Sequence, residues 1–159
     1  MTEGINIRFG CAADAPALAR MRLAFRTELG EVSEQSGEFV ERCTRWMAER
    51  LHEQASWHCW LAEAGDGMLG ALWLQLIEKI PNPAGEAELH AYVTNFYVIA
   101  AARGLGLGDR MLGLALAWCR SRHVDTVILW PSQRSRALYG RHGFTVRDDL
   151  LALRLTDHI

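Results

Sequence analysis

The residues with the clearest chemical potential are Arg103-Gly104-Leu105-Gly106-Leu107-Gly108, a run in which every second position is glycine. It stands between a strand-like segment, Leu89 to Val98, and a segment of helical spacing that ends near Arg122. Glycine lets a backbone come close to a ligand, and the helix behind such a turn leaves its first N–H groups unpaired and pointing outward. The arrangement is an anion cradle suited to phosphate, with Arg103 placed to neutralise charge at the helix start. Two phosphate motifs do not match. A P-loop needs Gly-Lys-Ser or Gly-Lys-Thr after its spacer, and the only lysine, Lys79, lies elsewhere. A G-x-G-x-x-G dinucleotide fingerprint counted from Gly104 meets Asp109 at its third glycine, and counted from Gly106 it meets Met111.

The run lies inside Phe96-x-Val98-x-x-x-x-Arg103-x-x-Gly106-x-Gly108, which resembles the acetyl-CoA signature of the GNAT superfamily of N-acetyltransferases. A second match follows at the family's spacing, where Leu138-Tyr139-Gly140-Arg141-His142-Gly143-Phe144 resembles its Leu-Tyr-x-x-x-Gly-Phe segment. An early strand, Asp14-Ala15-Pro16 and two paired helices keep the family's order, so the resemblance spans the chain and is most specific over 92–144. It implies a single acetyltransferase domain over residues 1–159, of mixed α/β (α+β) class. The central sheet is expected to have six to seven strands, with about four helices on its two faces. Acetyl-CoA is implied as co-substrate, held by Phe96, Tyr97, Val98, the turn residues Arg103, Gly104, Leu105, Gly106, Leu107, Gly108 and Asp109, and by Ser132 and Tyr139. Backbone N–H groups near Val98 are implied to bind the thioester oxygen as charge develops on it. Tyr139 is implied to protonate the departing sulfur. The chain departs from the pattern at Ala100, where family members often carry proline, and at Ser132, where they often carry asparagine. Serine keeps a donor and an acceptor but reaches less far. The implied reaction moves an acetyl group directly to a primary amine of a small molecule or peptide. The other reading of the same residues is a non-catalytic acetyl-CoA-binding sensor or partner module, and the presence of Tyr139 favours the enzyme.

On the acceptor side the candidates are Glu28, His90 and Asn95. Glu28 belongs with Glu31, Glu34, Glu38 and Glu41 to two early helical segments, which shape the acceptor side in the resembling family, and this charge would attract a cationic amine. An alkyl amine must lose a proton to react, and Glu88 or His90 would accept it, as would a chain of waters; Asn95 would orient an acceptor. Trp130 ends a strand beside the expected cofactor cleft. No metal is expected, because His58-Cys59 has no second ligand pair at zinc spacing. Cys11, Cys43, Cys59 and Cys119 form no Cys-x-x-Cys pair and read as thiols in a reducing compartment, mostly buried.

The elements that must position these residues follow from periodicity and punctuation. Ile5 to Phe9 alternates as a strand. Asp14-Ala15-Pro16 opens a helix closed by Gly30, and a second runs from about 34 to 54. Trp57 to Glu63 and Met68 to Glu78 form a hairpin about Gly65-Asp66-Gly67, and Pro81 to Gly85 is a loop. After the strand at 89–98 comes a helix with Leu107, Met111, Leu114 and Trp118 on one stripe. A strand at 126–130, a short helix at 135–141 ended by Gly143, and a strand pair over 144–155 complete the chain.

With 159 residues, 50% of them apolar, the chain has the bulk for one core, and its net charge of −2 argues against a nucleic-acid partner. That charge is uneven: 8 positive and 14 negative side chains precede residue 101, against 9 and 5 from there on. This suggests an acidic acceptor half and an arginine-rich cofactor half. Met1 to Ile7 shows no basic region followed by an apolar one, and Met68 to Ile77 is half the length of the roughly 20 residues a membrane helix needs. A cytoplasmic protein with no membrane partner is expected, and a homodimer is allowed.

Overall fold

Alternation in three successive strands decides how the sheet is buried. In a computed structural model that describes residues 4–65 and 67–156, β1 (Asn6–Phe9), β2 (Trp57–Ala64), β3 (Gly67–Glu78), β4 (Leu89–Val98) and β5 (Val124–Ile128) form one sheet in that spatial order. The first three pairings are antiparallel and β4–β5 is parallel. Trp60, Ala62, Leu72, Leu74, Ala91 and Val93 face α3 (Leu107–Ser121), packing on Leu107, Met111, Leu112 and Ala115. The intervening Cys59, Leu61, Ala71 and Trp73 face α1 (Ala15–Glu28) and α2 (Ser36–Glu53), meeting Leu18, Met21, Met47 and Leu51. The period of two therefore makes two apolar layers, one per face. A short α4 (Arg136–Arg141) follows β5 and ends before Gly143, whose φ is +90°.

One extra residue in β4 changes its facing. Trp73 pairs with Thr94 and Ala71 with Tyr97, so Asn95 and Phe96 together oppose Leu72. The bulge takes Asn95 to a φ of +49°, a left-handed conformation that asparagine tolerates better than most residues. Without it Tyr97 would share the face of Ala91 and Val93. With it Tyr97 turns to α1, stacking on Phe25 with ring centroids 4.9 Å apart, while Phe96 joins the α3 layer.

Three sequence expectations are corrected. The sheet has five strands among the described residues, not six to seven, because 144–156 forms none. The charged Arg147 and Asp149 pair locally, and Leu151, Leu153 and Leu155 are 82–94% exposed, so no packed face favours pairing with β5. On α3 the core stripe runs through Met111, Leu112, Ala115, Leu116 and Cys119, and Leu114 points outward. β5 begins and ends two residues earlier than expected. Asp66 and Met1–Glu3 lie outside the described residues.

Arg8 ties β1 to the helical start. Its guanidinium donates to both oxygens of Asp14 at 2.9 Å and through Nε to Glu63 at 2.9 Å, while Asp14 also accepts from the Cys11 N–H at 2.8 Å. These bonds hold the Asp14 carboxyl well below the usual carboxylate range, Arg8 contributing most. A depressed folded value means stability that is present above the unfolded pKa of about 3.9 and is lost as pH falls toward the folded value. Asp14→Asn should cost about 1–2 kcal/mol at neutral pH. Melting curves should show the gap from the parent chain closing below about pH 4, and a constant gap would assign the loss to packing.

Candidate active site

Pairing between β4 and β5 stops at Tyr92 and Ile128. Beyond that point the strands part, and the β5-facing backbone groups of Val93–Val98 have no ladder partner. The fork opens into a cleft of about 680 Å³ walled by α1, β4, the glycine run, residues 130–135 and α4. At its far end α3 begins at Gly106, whose φ is +75°, with no side chain capping the helix. The first intrahelical bond is from the Arg110 N–H to the Gly106 carbonyl at 3.1 Å, so the N–H groups of Leu107, Gly108 and Asp109 remain unspent where these residues line the cleft. Gly104 is also left-handed, at +79°.

Of the residues expected against the cofactor, Phe96, Tyr97, Val98, Arg103, Gly104, Gly106, Leu107, Gly108, Asp109, Ser132 and Tyr139 all line this cleft, and Leu105 does not. Tyr139 is 8% exposed and packed between Phe96 and Phe144, and burial pushes its phenol up to about 12. Among the described residues its hydroxyl has no hydrogen-bond partner. The Ser132 hydroxyl lies 2.8 Å from that of Ser135, inside the turn that starts α4. Asp109, an acid at the helix start, is matched by Arg141 and His142, each at 3.0 Å.

Arg103 points differently from the sequence expectation. Its Nε donates to the Val98 carbonyl at 2.9 Å, its terminal nitrogens reach Glu28 at 2.9 Å, and its guanidinium covers the Tyr97 ring. Glu28 also accepts from the Tyr97 hydroxyl at 2.8 Å and from Arg134 at 3.3 Å. Arg103, then Tyr97, pulls the Glu28 carboxyl down to about 2. Arg103 thus braces the strand end, and the backbone of the turn is what remains for an anion.

The acceptor-side expectations separate. Asn95 lines the cleft; Glu28 stands behind Arg103; His90 lies at the other end of β4, opposite Ile77 and Thr126, with its Nδ1 buried and unpartnered. Glu31 and Glu34 are paired with Arg26 and Arg42. Among the described residues none of Glu28, Glu31, Glu34, Glu38 and Glu41 lines the cleft. What sequence reading missed is that α1 lends Arg22 and Arg26 to its lining, although their spacing of four already placed both on one side of the helix. Trp130, 67% exposed, stands edge-on to Tyr92 at 5.2 Å beside them. Among the described residues no group of His, Cys, Asp and Glu is arranged to hold a metal ion, and no helix is long and apolar enough to cross a membrane.

Comparison with solved structures finds the same architecture. A predicted acetyltransferase from Clostridium acetobutylicum, solved with acetyl-CoA, superposes with a TM-score of 0.81 at 22% identity, over 95% of this chain and 96% of that one. A GCN5-related N-acetyltransferase from Ralstonia eutropha gives 0.78 at 24% identity, over 96% and 100%. An aminoglycoside acetyltransferase from an uncultured soil metagenomic sample, in complex with sisomicin, gives 0.70 at 13% identity, over 98% and 97%. No curated protein sequence matches the chain. The acetyltransferase (GNAT) family model matches residues 21–144, from the middle of α1 through the glycine turn to Phe144, and the chain belongs to that family.

Proposed function

We propose that residues 1–159 act as one domain that transfers an acetyl group from acetyl-CoA directly to a primary amine of a small molecule or peptide. The observation that carries this is the meeting, in one cleft, of an uncapped helix start, an unpaired strand edge and an unpartnered phenol. The solved relative that holds acetyl-CoA and the aminoglycoside acetyltransferase support it. Acetyl-CoA supplies an activated thioester carbonyl. The amine nitrogen bonds to the carbonyl carbon, the carbon–sulfur bond breaks, nitrogen gives up a proton and sulfur gains one.

The residues divide this work by position. The N–H groups of Leu107, Gly108 and Asp109 take the pyrophosphate, where the helix dipole adds to their hydrogen bonds. The free edge of Val93–Val98 holds the extended pantetheine arm and offers N–H groups to the carbonyl oxygen. Tyr139 donates toward the sulfur as its charge grows. The cleft presents no unpaired carboxylate or imidazole among the described residues, so the amine's proton leaves through water. The arginines around the cleft help, since nearby positive charge disfavours the ammonium form and lowers the amine's pKa.

Two measurements test this. Acetyl-CoA should raise the melting temperature, and free thiol should appear when a reactive amine is added. Stabilisation with no thiol release across a broad amine panel would make the protein a non-catalytic acetyl-CoA sensor.

A further inference from the structure

Five arginines line the cleft: Arg22, Arg26, Arg103, Arg134 and Arg141. Four face carboxylates, Arg26 with Glu31, Arg103 and Arg134 with Glu28, and Arg141 with Asp109. Arg22 differs. Among the described residues it has no carboxylate partner, and its hydrogen bond runs to a neutral acceptor, Asn95 Oδ1, at 3.2 Å. Its guanidinium is partly buried beside the Phe25 ring, 5.9 Å from the centroid, and next to a second cation, Arg26. Burial first, and then Arg26, pull its pKa down, the mark of a cation that lacks a counter-charge. A guanidinium has five N–H donors in a planar fork, and among the described residues the one bond to Asn95 leaves most of them unspent in a side chain that lines the cleft.

The position along α1 separates this group from the phosphate end. Arg22 meets Asn95, Phe25 stacks on Tyr97 and Glu28 reaches Arg103, so α1 and β4 run side by side. Arg22 is six residues before Glu28, about 9 Å along the helix axis from the level of the glycine turn. That sets it apart from the turn, in a cleft that Tyr92 and Trp130 also line. The bulge supplies the rest: the left-handed turn at Asn95 sets Oδ1 against one guanidinium nitrogen and fixes the fork's direction.

We propose that Arg22 receives a carboxylate of the acceptor, so that the substrate is an amino acid or another small primary amine carrying a carboxylate. The inference rests on the acetyl-transfer reading above and narrows its acceptor class. Asn95 is a positioning residue for that fork, and Tyr92 with Trp130 covers the apolar part of the acceptor.

The test compares L-phenylalanine, L-leucine and β-alanine with their carboxamides, and adds phosphoethanolamine and spermidine, in thiol release with acetyl-CoA. The free carboxylates should exceed their carboxamides by about 10- to 100-fold in kcat/KM, the size of a charge-assisted contact. In Arg22→Gln that ratio should collapse toward one, through KM for the carboxylates, with acetyl-CoA affinity and melting temperature kept. Arg22→Lys, which holds the charge without the fork, should fall between. Carboxamides or spermidine matching the amino acids would overturn the proposal. So would phosphoethanolamine outrunning them, or an equal loss for every acceptor in Arg22→Gln. Calorimetric titration of L-phenylalanine into the protein saturated with coenzyme A separates the two layers. Binding that Arg22→Gln abolishes, with no thiol release from any amine, would keep the carboxylate site and overturn acetyl transfer. Turnover without carboxylate preference would do the reverse.

Discussion

Tyr139→Phe should slow thiol release at saturating substrates by roughly 10²-fold, the lower range for loss of a positioned acid, while acetyl-CoA affinity changes little. The ring is held by Phe96 and Phe144, which phenylalanine keeps, and the hydroxyl has no protein partner among the described residues. Stability should therefore shift by less than about 1 kcal/mol. The phenol's pKa fixes the pH profile as well. At about 12 it stays protonated through the working range, and the interaction it offers the sulfur is that of a donor. The rate should rise with pH as the amine deprotonates, with no falling limb from Tyr139 below about pH 11. A loss of affinity with turnover intact, or a falling limb near neutrality, would remove the tyrosine from the chemistry.

Gly106→Val should weaken acetyl-CoA binding by about 10- to 100-fold and leave kcat at saturation nearly unchanged. The cause is conformational. A Cβ at Gly106 would meet nothing within 4 Å, but a φ of +75° is costly for any L side chain and most for a branched one, at about 1–3 kcal/mol. Relaxing that angle re-aims the N–H groups of Leu107, Gly108 and Asp109, the donors assigned to the pyrophosphate. Gly108→Ala is the control for close approach. Its Cβ would make ordinary contacts, 3.5 Å to Leu138 and 3.8 Å to Phe96, so the fold should accept it while a ligand pressed against that backbone would not. Isothermal titration beside melting curves distinguishes the two. An equal loss of stability in both variants, with affinity unchanged, would mean that the run serves packing alone.

Much of this is legible in the sequence. Pro16, Gly30 and Gly143 punctuate α1 and α4 because their backbone preferences are local properties, and the glycine run declares itself because few other sequences place left-handed residues before a helix. What was hidden depends on neighbours. The bulge at Asn95 and Phe96 leaves no mark in composition, yet it decides that Tyr97 faces α1. Arg103 was legible as a cation but not as Glu28's partner, since a contact across 75 residues has no sequence signature. The charge division along the chain does not carry over to the cleft: Arg22 and Arg26 from the acidic half line it, and Glu28 and Glu31 are paired with arginines. Over 144–155 the sequence reads as a strand pair, but a strand is stabilised only where one face is covered, and among the described residues Leu151, Leu153 and Leu155 stay exposed.

The parallel junction of β4 and β5 also bears on how the molecule assembles in time. β2, β3 and β4 follow one another as antiparallel neighbours, so their pairing closes short stretches of chain. Among the described residues β5 pairs with β4 alone, and the intervening chain holds the glycine run and α3. That junction waits for a crossover to be ordered and carries the larger loop-closure cost. The fork, and the cleft within it, therefore comes into being late, with the hairpins already in place. Slowing of refolding should concentrate in variants of β2 and β3 such as Leu72→Ala, while variants at the β5 junction should mainly speed unfolding.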